Sequence, residues 1–356
     1  MSSFQRSIFL IPIIFLFLGA GCLPTKQTGR DGGIFKSTDQ GKTWNQSALF
    51  PSIKGVGNLG GADIETMIMD PSDNLVFYIG TKEDGLFYSY DGANSWQRPR
   101  DTNLTSGFIP SVAVDTKNVC TVYVLKNQYV YKTIDCGRSF ERIYDEVRSK
   151  VVPTKIAVDW YNPSHVYLGL SNGDVLKSTN EGRAWTQILT AKKEIVEIII
   201  SHADSRKVLI GTKSEGFFVS LDAGQTWKSL EQDLEPFKNA DMVYDVSQNM
   251  TGSVMVAATG FGLLRSQDQG QSWEQIKLVT SPGQVIIRSV AIDPKNEKIL
   301  YYVSGSTFYK TIDAGITWDT RKLPSTRSVS SMIIDTKDSS MIYLGMKLFE
   351  EQKKGL

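Results

Sequence analysis

Carboxylates are the side chains with the widest chemical reach in this 356-residue chain, and two matching loops present them. Thr81-Lys82-Glu83-Asp84-Gly85 and Thr212-Lys213-Ser214-Glu215-Gly216 each follow an apolar, strand-like run. Asp84 and Glu215 from such loops would serve as the acid and base of glycoside hydrolysis, which needs two carboxyl groups flanking the scissile bond. Against this, Asp and Glu are ordinary residues of solvated turns. Gly55-Val56-Gly57-Asn58-Leu59-Gly60 has the spacing G-x-G-x-x-G. That fingerprint cradles pyrophosphate only after a strand and at a helix N-terminus. Here a strand-like run, Ile64 to Asp70, follows the glycines and no helix is indicated, so no cofactor is expected. The two histidines, His165 and His202, stand far from any Cys/His spacing of a metal site, and no metal is expected.

Other acids recur too regularly to be catalytic. The pattern [Ser/Thr]-x-[Asp/Asn]-x-Gly-x-[Thr/Ser]-Trp appears as STDQGKTW, SYDGANSW, TIDCGRSF, STNEGRAW, SLDAGQTW, SQDQGQSW and TIDAGITW. Its acidic position is Asp39, Asp91, Asp135, Asn180, Asp222, Asp268 and Asp313, with successive gaps of 52, 44, 45, 42, 46 and 45. Six of the seven tryptophans lie in these copies. Within a tight turn the carboxylate and hydroxyl accept backbone N–H bonds, while Gly takes a backbone angle other residues avoid. The Trp then packs against neighbouring strands. These seven positions are therefore structural, and a functional residue should be one that departs from the repeat.

The repeat also dictates the elements. Upstream of each copy lie a run ending in an acid in most repeats (MIMD, VAVD, IAVD, VAID, MIID) and a second Val/Tyr-rich run such as VFYIGT or KVLIGT. A third run leads into the octapeptide and a fourth begins at its Trp. Four short antiparallel strands with a period near 45 residues make one propeller blade. The chain is thus expected to be all-β: a single seven-bladed β-propeller of four-stranded antiparallel blades over residues 31–347. A composite blade from both termini would close it, with strands one and two from residues 328–347 and the rest from Asp31 onward. Residues 348–356 read as a polar tail. Cys120 and Cys136 fall in one blade, in two loops expected to leave the same end, so a disulfide is the expectation and two partly buried thiols the alternative.

Arg6 and the apolar run Ile8 to Leu18 form a signal-peptide pattern, too short for a span of roughly 20 residues. Leu18-Gly19-Ala20-Gly21-Cys22 resembles a bacterial lipobox, although Gly19 stands where an aliphatic is usual. Residues 1–22 are therefore read as a lipoprotein leader ending at the lipidated Cys22, and residues 23–30 as a tether. The expected location is the cell envelope, lipid-anchored to a membrane on its extracytoplasmic side. A formal charge of +1 argues against nucleic acid as a partner.

The octapeptides and their spacing resemble the BNR/Asp-box propeller superfamily across residues 31–347. It includes sialidases, tandem-propeller xyloglucanases, the sortilin N-terminal domain and the photosystem II assembly factor, whose architecture is the most similar. A sialidase implies an arginine triad and an early Arg-Ile-Pro; Phe108-Ile109-Pro110 lacks that Arg. A xyloglucanase implies acids facing a cleft between two propellers, and one propeller is indicated here. The long connections 45–63, 97–110, 141–153 and 228–241 carry Arg98, Arg100, Arg142 and Arg148 with Phe108 and Tyr144, a mixture suited to protein recognition. The primary expectation is a non-enzymatic binding or assembly scaffold, engaging protein or peptide through one propeller face. The alternative is a carbohydrate-active protein, either a hydrolase or a glycan binder.

Overall fold

The computed structural model describes residues 31–52 and 55–349; the leader, Cys22 and the tether lie outside the described residues. The described residues form seven antiparallel blades around a central channel, as the repeat requires. The channel wall consists of the first strand of each blade: Ile64–Met69, Val112–Val114, Pro153–Val158, Ile195–Ile200, Val243–Gln248, Ser289–Ile292 and Ser328–Ile334. These are numbered here as blades 1 to 7. Second strands such as Phe77–Thr81, Val166–Leu170 and Val208–Thr212 are buried along their whole length, because each blade is covered by a neighbour on both faces. Core clusters therefore lie between blades: Tyr343 of blade 7 packs among Phe77, Ile79 and Phe87 of blade 1.

Blade 7 is the composite. Ser328–Ile334 and Ile342–Lys347 pair with Gly33–Ser37 and then Asn45–Ser47, with Phe35 opposite Leu344. Arg327 clasps the seam: its Nη1 donates to Asp63 Oδ1 at 2.7 Å and to the carbonyls of Gly61 and Ala62, and its Nε lies 3.4 Å from Asp31.

Two expectations change. In blade 1 the fourth strand shrinks to a single bridge, Tyr88–Gln97, and the connection that enters this blade from blade 7 forms an extra hairpin from Leu49–Ser52 and Gly55–Asn58. The G-x-G-x-x-G segment is thus partly a strand: Gly57 lies under the Phe50 ring, where a Cβ would clash. Blade 2's fourth strand, Glu141–Asp145, contains Arg142 and Tyr144, which therefore belong to a strand and not to a free loop.

Every octapeptide has the same turn. Its first hydroxyl accepts the N–H of the glycine position, as Gly224 N to Ser220 Oγ at 2.7 Å, and donates to the acid, as Ser220 Oγ to Asp222 Oδ1 at 2.8 Å. The second carboxylate oxygen accepts the hydroxyl four residues on, Thr226 Oγ1 to Asp222 Oδ2 at 2.6 Å. Held this way, Asp39, Asp135, Asp222 and Asp313 keep their carboxyls down to about 2 through bonds from neighbouring hydroxyls and N–H groups. Cys136 is in the blade 2 turn and is joined to Cys120, whose carbonyl accepts its N–H at 3.2 Å.

Candidate active site at the channel mouth

Strand direction fixes two faces. Loops from strand one to two and the octapeptide turns share one; loops from two to three and from four to the next blade share the other. Of the proposed face residues, Arg98, Arg100, Phe108 and Arg148 lie in connections on this second side while Arg142 and Tyr144 lie in a strand, and most are already engaged. Arg98 donates to the carbonyls of Asp84 and Thr105, lies 3.8 Å from the Asp84 carboxylate and stacks over Phe87 at 4.5 Å. Arg142 stacks over Tyr129 at 4.6 Å. Arg148 is forked onto Glu146 at 2.8 Å and reaches Asp174 at 2.6 Å, which holds the Glu146 carboxyl down to about 2. Tyr144 donates to Glu146 at 2.7 Å and packs edge-on to Trp185. Arg100 is exposed, and Phe108 is 43% exposed at the channel rim.

Asp84 and Glu215 do not form a pair. They sit on blades 1 and 4, three blades apart around the ring, and Glu215 accepts the Lys192 N–H at 2.6 Å. His165 lies beside Asp159 at 3.7 Å and His202 against the Asn249 carbonyl at 3.3 Å, with burial lowering both imidazoles. Among the described residues no three His, Cys, Asp or Glu side chains gather as a metal site, and no helix is long and apolar enough to cross a membrane.

The acids that depart from the repeat lie in the channel, a cavity of about 680 Å³. At one register of the inner strand, opposite the end of strand two, blades 3, 4 and 5 carry Lys155, Glu197 and Asp245. Blades 1 and 7 have Thr66 and Ser331 there, and blade 6 has Ser289. Lys155 Nζ donates to Glu197 Oε1 at 2.7 Å, leaving Oε2 without a side-chain partner among the described residues. Asp245 Oδ2 accepts Ser289 Oγ and the Val290 N–H, both at 2.9 Å, leaving Oδ1 similarly free. Burial pushes Glu197 up to about 7: removal from water outweighs the Lys155 charge, and Asp245 adds repulsion. Asp245 is also raised by burial, while Glu197 keeps the half-buried Lys155 protonated. Two carboxylates on adjacent blades, both raised by burial, thus face one cavity of ligand size.

Sequence reasoning missed this trio, although its signal was visible. IVEIII, TKIAV and VYDVSQ each put one charge into an inner strand, at one register of consecutive blades. Around the mouth above it stand Phe108, Tyr244 and Phe349, with Arg288 and the Glu65–Lys347 pair at 2.6 Å.

Seven octapeptide turns, antiparallel blades and a composite closure give the chain the fold of an Asp-box propeller. Residues 262–355 match the family model for Sortilin-Vps10, described as sortilin, neurotensin receptor 3. The chain is 23% identical over 346 residues to the xyloglucanase Xgh74A of Acetivibrio thermocellus, covering 83% of this chain and 38% of that protein. It therefore spans well under half the length of the curated relatives it matches. The GH74 xyloglucanase of Xanthomonas campestris superposes with a TM-score of 0.65 at 16% identity, over 80% of this chain and 51% of that one. YCF48 bound to D1 peptide superposes with a TM-score of 0.62 at 12% identity, over 83% and 94%.

These relatives overturn the expectation of a non-enzymatic scaffold. The curated proteins that align across most of the chain are named as xyloglucanases, which favours the carbohydrate-active alternative. The geometry agrees in one respect: Arg98, Arg142, Arg148 and Tyr144 are consumed by internal contacts.

Proposed function

We propose that this protein is a glycoside hydrolase whose acid and base are Glu197 and Asp245 at the mouth of the central channel. The observation that carries the reading is their shared register on adjacent blades, each carboxylate held through one oxygen by a neighbouring side chain. Protonated Glu197 gives its proton to the glycosidic oxygen as the bond to the anomeric carbon breaks. Water adds to that carbon from the other side and loses its proton to ionised Asp245. Lys155 holds the acid in position, and the rim aromatics Phe108 and Tyr244 offer flat faces for sugar rings. The leader supports action outside the cytoplasm, with Cys22 as the anchor.

The test is release of reducing ends from xyloglucan and from neutral and acidic oligosaccharides. Glu197→Gln should lower the rate by roughly 10²–10⁴-fold, the usual scale for losing a general acid, while Asp84→Ala should stay near wild type. Because the acid must hold its proton, activity should fall as pH rises past about 7. No release from any glycan, or a Glu197→Gln variant as active as wild type, ends the proposal.

A further inference from the structure

Lys155, Lys347 and Arg288 all line the channel, but they are not equally occupied. Lys155 is paired with Glu197 at 2.7 Å, and Lys347 reaches both oxygens of Glu65 at 2.7 and 2.6 Å. Arg288 has no carboxylate or carbonyl partner among the described residues. Its guanidinium instead lies over the rings of Phe349, at 3.9 Å, and Tyr244, at 5.9 Å. Nor is it part of the repeat. Arg288 directly precedes Ser289, and the matching positions of blades 1, 3, 4, 5 and 7 are Glu65, Thr154, Val196, Tyr244 and Ser330. Burial without a counter-charge disfavours its charged form, a cost that a ligand anion would remove.

We propose that Arg288 is the receptor for the carboxylate of a hexuronic acid, so that the glycan taken by this channel is acidic. This rests on the glycoside hydrolase reading and narrows its substrate. A guanidinium stacked on aromatic rings keeps its N–H edge in plane and free, the geometry that grips a carboxylate with two parallel hydrogen bonds. The same rings give a pyranose two apolar surfaces, and Asp245 Oδ1 and Glu197 Oε2 remain available for its hydroxyls or its glycosidic bond. Charge selects a monoanion. Lys155, Lys347 and Arg288 face Glu65, Glu197 and Asp245, the fourth lining carboxylate, Glu194, is neutralised by Lys213 at 2.8 Å, and protonation of Glu197 leaves room for one added negative charge. A sulfate diester would bring no charge, and a phosphate monoester would bring excess charge.

The experiment is calorimetric titration of the full-length protein with a glucuronic acid-terminated oligosaccharide and with its neutral glucose counterpart. Wild type should bind the acidic sugar about tenfold or more tightly, the scale of one charge-assisted pair. Arg288→Gln should abolish that preference, with an unchanged thermal midpoint showing that the variant is folded. Arg288→Lys should restore only part of it, since an ammonium lacks the fork. Equal binding of both sugars by wild type overturns the inference while the hydrolase reading stands. Absence of binding and hydrolysis for every sugar overturns both. A peptide with a free C-terminal carboxylate that outcompetes its amide through Arg288 would reassign the receptor to peptides and also overturn it.

Discussion

At the residue scale, the octapeptide turns contain a natural substitution experiment. In six copies the acid is Asp and the residue four positions on is Ser or Thr, so that Oδ2 has a hydroxyl to accept, as in Ser139 Oγ to Asp135 Oδ2 at 2.6 Å. The exception is Asn180, and there the fourth residue is Ala184. Asn180 Oδ1 still accepts Ser178 Oγ at 2.9 Å and the Ala184 N–H at 2.8 Å, so the amide retains every bond the missing hydroxyl does not require. The charge and the hydroxyl therefore act as a unit. Asn180→Asp and Ala184→Thr together should stabilise the protein by about 0.5–1.5 kcal/mol more than the sum of the single changes. Urea denaturation across the four proteins of the cycle measures this coupling, and a value near zero would separate the two groups. The linkage has a fixed sign. Box carboxyls are depressed to about 2, so their contribution is complete above the ordinary carboxylate range and is lost as pH falls toward 2. The coupling should vanish over that same interval.

At the element scale, each turn also docks on the blade before it. A Cβ on Gly224 of blade 4 would come 2.8 Å from Ile188 Cδ1 of blade 3, and one on Gly182 of blade 3 would meet Ile143 of blade 2 at 2.4 Å. Gly224 has φ +89°, so Gly224→Ala combines a left-handed backbone cost of roughly 1–2 kcal/mol with displacement of Ile188. A lowered thermal midpoint is expected, and Ile188→Ala in the same chain should recover part of the loss. If it recovers none, the cost lies in the backbone alone. Blades, turns and the composite closure were legible in the sequence because each is written locally and repeated with a period. The site was not, for two physical reasons. Arg148 looks free in a one-dimensional reading, since nothing in the sequence marks Glu146, two residues before it, as its buried fork, and its other partner, Asp174, lies on the next blade. Glu197 is a lone acid in the apolar strand IVEIII, and only the packing of blade 4 on blade 3 places it in a channel beside Lys155, 42 residues away.

At the scale of the whole molecule, the ring is only as closed as its composite blade. Strand pairing joins Gly33–Ser37 to Ile342–Lys347, and the ion pairs of Arg327 tie that seam to the start of blade 1. Arg327 is 6% exposed, and its removal would strand the partly buried carboxylate of Asp63, which also holds the Leu348 N–H at 2.8 Å. Breaking such a buried pair costs about 3 kcal/mol or more, so Arg327→Ala should lose at least that much in chemical denaturation. Hydrogen exchange then shows how the ring responds. Faster exchange confined to residues 33–37 and 342–347 would mean that blade 7 opens as a separate unit while the remaining interfaces hold. Faster exchange in all inner strands would mean that closure is a cooperative condition of the fold. The second result is expected, because every inner strand is packed against both neighbours and Lys347 also leads to Glu65 and the Phe349 rim. In that case Arg327→Ala would disturb the channel mouth from outside it, and binding at Arg288 would weaken together with stability. Unchanged binding in a destabilised Arg327→Ala protein would show that the mouth is set by blades 3 to 6 alone.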